Sequence, residues 1–119
     1  MALKVIDELI AQDPTNVDFV WWRGRTLLES ADYGGAETEF RRALKISPNS
    51  DILTTELFKV QLEQNKNCEA AETIRTLLSA HPQLKESHPE FEEQRQAILE
   101  QFKCVPSKIH VQKKLRATL

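Results

Sequence analysis

Apolar residues recur along this chain at intervals of three and four positions, a spacing that places them on one face of an α-helix. Ala36, Phe40, Ala43 and Leu44 show this spacing most clearly. Comparable apolar stripes occupy segments 17–30, 51–64 and 88–103. Runs of β-branched residues are few, and the 119 residues include only three glycines. The pattern therefore predicts an all-α fold.

The apolar pattern repeats with a period of 34 residues. Pro14, Pro48 and Pro82 are separated by 34 residues and then by 34 again. Four apolar columns share this register, namely Ala2, Ala36 and Ala70; Ile6, Phe40 and Ile74; Leu9, Ala43 and Leu77; and Ile10, Leu44 and Leu78. Several columns in one register indicate a repeat array, in which each unit buries its apolar face against its neighbours.

Each 34-residue unit has the pattern of two helices that are separated by a short turn and followed by a proline. The proline ends the second helix because it lacks the amide hydrogen that the helix needs to continue. Asn65, between two helical segments, is suited to a left-handed turn. Residues that can accept a hydrogen bond from a free amide stand at four helix starts. These candidate N-caps are Asn16, Asp32, Asn49 or Ser50, and Asn67.

The repeat resembles the tetratricopeptide repeat. Residues 17–50 match that family's pattern best, and its small, aromatic and proline positions are held here by Gly24, Ala36, Phe40, Ala43 and Pro48. The resemblance implies an all-α, right-handed superhelix of antiparallel helix pairs. Because a repeat stack needs its last apolar face covered, we also expect a C-terminal capping helix over residues 88–103.

Residues 51–84 follow the family pattern less closely. Phe58 replaces the small residue that Gly24 provides in the preceding unit, and Gln61 replaces an apolar residue. A phenyl ring at this position must push the paired helices apart or point elsewhere. We therefore expect this unit to be splayed, or to be shielded by the helix that follows it.

The pattern divides the chain into five segments. They are the second helix of a partial repeat (1–16), a repeat unit (17–50), a degenerate unit (51–84), a capping helix (85–103) and a basic C-terminal tail (104–119). The half unit at the start favours a fragment of a longer array over a protein that begins with a single packing helix.

In the family that the chain resembles, the first helix of each unit lines a concave groove, which takes a peptide or a helix of a partner. Carried over to this chain, the partner-binding positions are Asp18, Trp21, Arg25, Leu28 and Glu29 in the first unit and Ile52, Thr55, Lys59, Leu62 and Glu63 in the second. The equivalent cations Arg25 and Lys59, with apolar neighbours, suit an acidic or amphipathic peptide. The alternative is that both cations point into solvent, with their stems on an apolar floor.

Trp21 and Trp22 are adjacent, so their side chains point about 100° apart on a helix and cannot both face one core. We expect one to pack inside the repeat stack and the other to meet solvent or a partner as an aromatic anchor. The alternative is that both serve packing.

The formal net charge is −2, but the charge is unevenly distributed. Residues 1–100 carry 11 basic and 18 acidic side chains, whereas residues 101–119 carry five basic side chains and no acid. Those five are Lys103, Lys108, Lys113, Lys114 and Arg116. Such a tail can contact nucleic acid, anionic lipid or an acidic partner. The alternative is a solvated end, or one that folds back on the acidic body.

The two cysteines, Cys68 and Cys104, lack the spacing of a metal site or of a disulfide framework. Two buried or idle thiols indicate a reducing compartment, and we therefore predict a cytoplasmic location. No apolar run approaches the roughly 20 residues that a membrane span needs. No secretory signal follows Met1.

The sequence lacks the motifs of the common catalytic and metal sites. His81, His88 and His110 form neither an HExxH pair nor a helical pair four residues apart. There is no glycine-rich phosphate loop and no GxSxG nucleophile motif. We therefore expect no enzyme activity, no metal and no cofactor.

The function implied by the resemblance is that of a scaffold or adaptor, which holds a peptide or helix of another protein in the groove. One alternative is a chaperone-like protein that keeps a secreted or assembling subunit soluble. Another is a structural subunit that self-associates through the open ends of the array. Nucleic-acid binding through residues 103–119 is the least favoured partner prediction.

Overall fold

The computed structural model describes residues 3–104, and within them every regular element is helical. The helices are α1 (Leu3–Gln12), α2 (Val17–Glu29), α3 (Tyr33–Ile46), α4 (Asp51–Glu63), α5 (Asn67–Ala80), α6 (Leu84–Ser87) and α7 (Pro89–Phe102). No strand occurs in this range. The all-α prediction is therefore confirmed, whereas the predictions for the basic tail fall almost entirely outside the described residues.

The three prolines of the 34-residue register end equivalent helices. Pro14, Pro48 and Pro82 each stand two residues after the last residue of α1, α3 and α5, respectively. The helix pairs α2–α3 and α4–α5 are thus successive hairpins, and α1 packs against α2. The period read from the sequence is confirmed as a structural period.

The turn inside each hairpin has the same backbone conformation. Ala31 and Asn65, which are 34 residues apart, have φ angles of 59° and 60°. Asparagine adopts this left-handed conformation readily, as predicted for Asn65, whereas alanine adopts it at a cost of roughly 1–2 kcal/mol. Packing of α2 against α3 therefore imposes the turn at Ala31.

Three of the predicted N-caps are confirmed and one is wrong. The side chains of Asn16, Asp32 and Ser50 accept hydrogen bonds from backbone amides in the first turns of α2, α3 and α4. Asn67 is instead the first residue of α5, and its side-chain Nδ2 donates to the backbone carbonyl oxygen of Asn65. The residue at the N-cap position is Lys66, whose side chain makes no capping bond.

The first hairpin is closed by a glycine against a phenyl ring. Phe40 of α3 is fully buried, and a Cβ atom added to Gly24 of α2 would lie 2.7 Å from its Cε1 atom. That distance is far below van der Waals contact. The absence of a side chain at Gly24 is therefore what allows the Phe40 ring to lie between the two helices.

In the second hairpin the large aromatic side chain lies on the first helix instead of the second. Phe58 of α4 occupies the position of Gly24, and Ile74 of α5 occupies that of Phe40. Both are buried, and the Phe58 ring meets Phe91 of α7 edge to face, with centroids 5.7 Å apart. The expectation that the following helix shields Phe58 is confirmed. Gln61, which stands at a position that is apolar in the family pattern, is also buried. Its side chain accepts a hydrogen bond of 2.7 Å from the Thr73 hydroxyl.

The segment after Pro82 contains one helix more than predicted. The predicted helix over residues 88–103 is present as α7, with His88 at its N-cap position. The four-residue helix α6 precedes it and was not predicted. Ile98 of α7 is buried, and Phe91 and Leu99 are partly buried against the core of the second hairpin. This helix therefore extends the second hairpin's core.

The prediction of two idle thiols is wrong. Cys68 and Cys104 form a disulfide, with Cα atoms 5.5 Å apart. The pair forms because the end of α7 returns to the start of α5, which a separation of 36 residues in sequence does not reveal. Disulfides persist mainly in oxidising compartments. The cysteines therefore no longer support a reducing location.

Arg23 of α2 joins the first three helices. Its Nε donates to Asp7 of α1 at 2.8 Å, and its Nη1 donates to Glu39 of α3 at 3.2 Å. The hydrogen bond with Asp7 raises the pKa of Arg23, against the opposing effect of burial, and the nearby Glu39 raises it further. This ion pair network therefore helps to fix α1 on the first hairpin.

Glu37 of α3 is a buried carboxylate that joins the two hairpins. It accepts hydrogen bonds from Arg41, and from Gln64 and Lys66 in the turn between α4 and α5, at 2.7, 2.7 and 2.9 Å. Burial alone would raise the pKa of Glu37, but these donors outweigh it and lower the pKa from 4.5 to about 2. Glu37 is therefore ionised in the folded protein at neutral pH.

Glu37→Gln is expected to weaken the fold most at neutral pH and least in acid. A carboxylate whose pKa is lower in the folded state stabilises the protein above its unfolded pKa of 4.5, and this effect is lost as the pH falls toward about 2. The expected loss of unfolding free energy is roughly 2–3 kcal/mol at pH 7, falls to about 1 kcal/mol near pH 3, and vanishes only below about pH 2. Urea unfolding of both proteins over this pH range measures the difference.

The exposed Glu72, also replaced by glutamine, provides the matched control. Its loss should be small at every pH because an exposed ion pair contributes little. A difference between wild type and Glu37→Gln that stays constant from neutral to acid pH would contradict the role given to Glu37.

Candidate functional site

A cavity of about 320 Å³ opens where the first turns of α2 and α4 meet. Its apolar lining comes from Val17, Trp21, Ile52 and Leu53, and its polar lining comes from Asp18, Ser47 and Ser50. Pro48 ends α3 shortly before Ser50 caps α4, so the proline turn brings two hydroxyl groups to the cavity. The cavity is thus a product of the repeat itself.

A second cavity, of about 200 Å³, lies on the other side of α4. One wall is formed by Asp51, Ile52, Thr55 and Glu56 of α4, and the other by Leu84, His88 and Phe91. The His88 ring stacks on the Phe91 ring, with centroids 5.5 Å apart and planes inclined by 15°. The segment from α6 to α7, which lies outside the repeat pattern, therefore supplies one wall of this cavity.

Ile52 lines both cavities and is 64% exposed. The next apolar residues of α4, Leu53, Leu57 and Val60, turn into the core, so Ile52 is left on the opposite face. We call the surface formed by the linings of the two cavities the groove. Its centre is an aliphatic side chain that water reaches, with an aromatic ring on each side, Trp21 and Phe91.

The two tryptophans have different environments, as one of the two alternatives predicted. Trp21 is partly buried against the first hairpin's core and also lines the groove, whereas Trp22 is 43% exposed. Their rings meet edge to face with centroids 5.0 Å apart. The Trp21 Nε1 atom is buried without a hydrogen-bond acceptor in residues 3–104. Packing and ring contacts, rather than a hydrogen bond, hold Trp21 in place.

Arg25 is paired within the protein. Its Nη1 lies 3.3 Å from Glu56 Oε2, and its guanidinium lies 5.8 Å from the centre of the Trp21 ring. The equivalent Lys59 is exposed and makes no ion pair with any residue in the range 3–104. The cation pair expected to receive an acidic peptide is therefore reduced to one unpaired member.

The remaining predicted site residues are divided between the groove and its surroundings. Asp18, Trp21, Ile52 and Thr55 line the cavities. Four other predicted residues lie outside the two linings, namely the partly buried Leu28 and Leu62 and the exposed Glu29 and Glu63. Sequence reasoning missed the groove residues contributed by the proline turn and by α6–α7, because their positions depend on how the chain returns after Pro82.

The groove is acidic. Its lining contains three carboxylates, Asp18, Asp51 and Glu56, and no lysine or arginine. The Asp51 carboxylate accepts a hydrogen bond from the Ile52 amide, and Glu56 is paired with Arg25, whereas Asp18 makes no ion pair within residues 3–104. The surface therefore combines exposed apolar groups with a negative rim.

The described part of the chain offers no arrangement for metal binding. No group of three His, Cys, Asp or Glu side chains within residues 3–104 is placed to hold a metal ion. His81 instead contacts the carbonyl oxygen of Asn49 at 2.8 Å, while His110 lies outside the described residues. No helix in this range is both long enough and apolar enough to cross a membrane.

A family model described as tetratricopeptide repeat matches residues 27–89, which is more than half of the chain. The match runs from the end of α2 to the first residue of α7, so it includes Pro48, Pro82 and the central groove residue Ile52. No curated protein matches the chain.

Proposed function

Because the chain belongs to the tetratricopeptide repeat family, whose repeats generally mediate protein–protein interactions, we propose that it is an adaptor. It binds a peptide or a helix of a partner protein in the groove. The family is typically not enzymatic, and the proposed role needs no cofactor.

The observation that carries this proposal is the position of Ile52. A large aliphatic side chain that is 64% exposed lies between two cavities with combined walls from α2, α4 and α7. Covering it fully would contribute about 1–2 kcal/mol to binding, since full burial of such a side chain is worth about 1.5–3 kcal/mol. Residues of this kind at the centre of a concave surface are typical interaction anchors.

The groove also has the polar groups that orient a ligand. The hydroxyl-bearing residues Ser47, Ser50 and Thr55 line the two cavities together with three carboxylates. An apolar centre with a polar rim is the usual composition of a protein interface. The negative rim favours a ligand segment with apolar and basic residues rather than the acidic peptide that Arg25 and Lys59 suggested.

Two alternatives from the sequence have less support. A chaperone-like protein needs a deep apolar groove, whereas the centre of this one, Ile52, is 64% exposed and its lining bears three carboxylates. Assembly through the ends of the array is favoured by exposed apolar residues on the first and last helices, Val5 of α1 and Phe102 of α7. Light scattering over a range of concentrations tests that second candidate, which predicts a mass that grows with concentration.

The cytoplasmic location stays a prediction from the sequence. The disulfide between Cys68 and Cys104 weighs against it, since the cytosol keeps most thiols reduced. Alkylating the protein in its native host before any reductant is added would decide between a reducing compartment and an oxidising one. A cytoplasmic protein should be modified at both cysteines.

Ile52→Glu is expected to weaken partner binding about ten-fold or more, because it removes the apolar anchor and adds a fourth carboxylate to the groove. Val5→Glu is the matched control, because Val5 is also an exposed aliphatic residue but lies on α1, outside the groove. Partners captured from an extract of the native host by wild type are quantified against both variants. Circular dichroism checks that all three proteins are folded.

The groove assignment predicts that the captured partners are lost with Ile52→Glu and kept with Val5→Glu. Equal recovery by wild type and Ile52→Glu would show that the partner binds elsewhere. Loss with Val5→Glu alone would move the interaction to the outer side of α1.

A further inference from the structure

The groove and the segment that follows α7 have opposite charges. Within residues 3–104, the groove carboxylates Asp18 and Asp51 make no ion pair, whereas Glu56 is paired with Arg25. Residues 1–100 as a whole carry a net charge of −7, from 11 basic and 18 acidic side chains. Residues 105–119 contain four basic side chains and no acid. The charge that the groove lacks is thus present in the same chain.

The same segment also carries apolar side chains, which are suited to cover the exposed Ile52. Its aliphatic residues are Val105, Ile109, Val111, Leu115 and Leu119, and its cations are Lys108, Lys113, Lys114 and Arg116. A segment that combines apolar and basic side chains matches a surface that combines an aliphatic centre with a negative rim.

The disulfide fixes the point from which this segment starts. Cys104, the last of the described residues, is bonded to Cys68, so the segment is tethered just after the end of α7. The other end of α7, with Phe91 and the groove, is about 20 Å away, since a helix rises about 1.5 Å per residue. Fifteen residues span up to about 50 Å when extended. A segment of this length is therefore long enough to span the distance to the cavity lined by Phe91, which shares Ile52 with the other cavity.

The helix starts at the groove do not cancel this attraction. The N-terminal ends of α2 and α4 each carry a partial positive charge of roughly half an elementary charge. Each of these ends also bears a full negative charge in its first turn, Asp18 in α2 and Asp51 in α4. The field at the groove therefore stays negative and attracts a cationic segment.

We propose that residues 105–119 bind the groove of the same molecule when no partner is present. The proposal rests on the function proposed above, because it gives the groove an internal ligand that a partner must displace. The basic side chains of the segment meet the carboxylates of the groove, and its aliphatic side chains cover Ile52. Tethering at Cys104 keeps the segment at a local concentration in the millimolar range.

Carbodiimide coupling of the full chain tests this contact, because the reagent joins a lysine to a carboxylate only where the two meet. We expect crosslinks from Lys108, Lys113 or Lys114 to Asp18, Asp51 or Glu56 in the isolated monomer, identified by mass spectrometry. A mixture of unlabelled and ¹⁵N-labelled protein should give crosslinks only between peptides with the same label. Crosslinks between different labels would overturn the proposal in favour of binding between two copies.

Charge reversal identifies the groups involved. Lys113→Glu combined with Lys114→Glu leaves residues 3–104 unchanged and should reduce the remaining crosslink, from Lys108 to the groove, at least several-fold. Asp18→Lys should reduce crosslinking to Asp51 and Glu56, whereas the matched control Glu8→Lys, at an exposed position of α1 outside the groove, should not. Crosslinks to carboxylates outside the groove, or none at all, would overturn the proposal.

Partner binding separates this proposal from the proposed function. If the segment occupies the groove about nine-tenths of the time, the Lys113→Glu, Lys114→Glu variant binds the partner roughly ten-fold more tightly than wild type does. Unchanged affinity would overturn the internal-ligand proposal, while loss of the partner with Ile52→Glu would still support the groove. If intramolecular crosslinks form but Ile52→Glu leaves partner binding unchanged, the proposed function alone is contradicted.

Discussion

Phe40→Ala is expected to lower the free energy of unfolding by about 3–5 kcal/mol, the usual cost of emptying a fully buried phenylalanine site. Phe40 has no exposed surface, and its ring lies directly against the backbone of Gly24. With no side chain at Gly24, there is nothing on α2 to fill the space. The melting temperature should fall by roughly 10–20 °C.

Two variants test whether that loss comes from the site. Phe102→Ala should cost little, since Phe102 is 44% exposed at the end of α7. Phe40→Leu keeps most of the volume and should cost about 1.5 kcal/mol or less. Chemical unfolding followed by circular dichroism measures all three. A loss below about 1 kcal/mol in Phe40→Ala would show that α2 and α3 do not enclose this ring.

Reduction of the disulfide should remove about 3–4 kcal/mol of stability, the entropic effect expected for a closed loop of this length. The unfolded chain with Cys68 joined to Cys104 has fewer conformations available, so opening the bond favours unfolding. Unfolding by urea with and without reductant measures the change. Cys68→Ser, Cys104→Ser and the double variant should all match the reduced protein, because each removes the same bond.

The disulfide prediction has a direct check on the bond itself. Under denaturing conditions without reductant, an alkylating reagent should modify neither cysteine of the purified protein. Modification of both cysteines would contradict the pairing, as would identical urea transitions for the oxidised and reduced protein.

The helices and their order could be predicted from sequence because their signals are local. An apolar residue every three or four positions defines a helix face, and a proline prevents the helix from continuing. Pro14, Pro48 and Pro82 therefore located the ends of α1, α3 and α5 to within two residues. The 34-residue register then made Phe58 stand out as a substitution at a small position.

The long-range contacts could not be predicted in this way. The pairing of Cys68 with Cys104 and the bond between Arg25 and Glu56 join residues 36 and 31 positions apart. Both depend on how one helix pair is placed against the next, which apolar spacing does not determine. The same holds for Glu37, whose partners lie in the turn of the other hairpin.

Only part of the candidate site could be predicted, because the rest depends on how the helices are placed against one another. Family resemblance indicated the exposed faces of α2 and α4, and with them Trp21 and Ile52. The wall formed by Leu84, His88 and Phe91 comes from α6 and α7, which follow no repeat pattern. The sign of the groove's charge followed only once Arg25 was found to be paired with Glu56, which leaves Asp18 and Asp51 as the unpaired charges of the lining within residues 3–104.

Photo-crosslinking from position 52 is the most direct test of the claim that this groove binds another protein. A photoreactive phenylalanine analogue replaces Ile52 in the native host, and in a second strain it replaces Val5, which is 47% exposed outside the groove. Groove binding predicts a defined adduct with another protein from position 52 and none of that adduct from position 5. The same adduct from both positions, or none from position 52, would contradict the account.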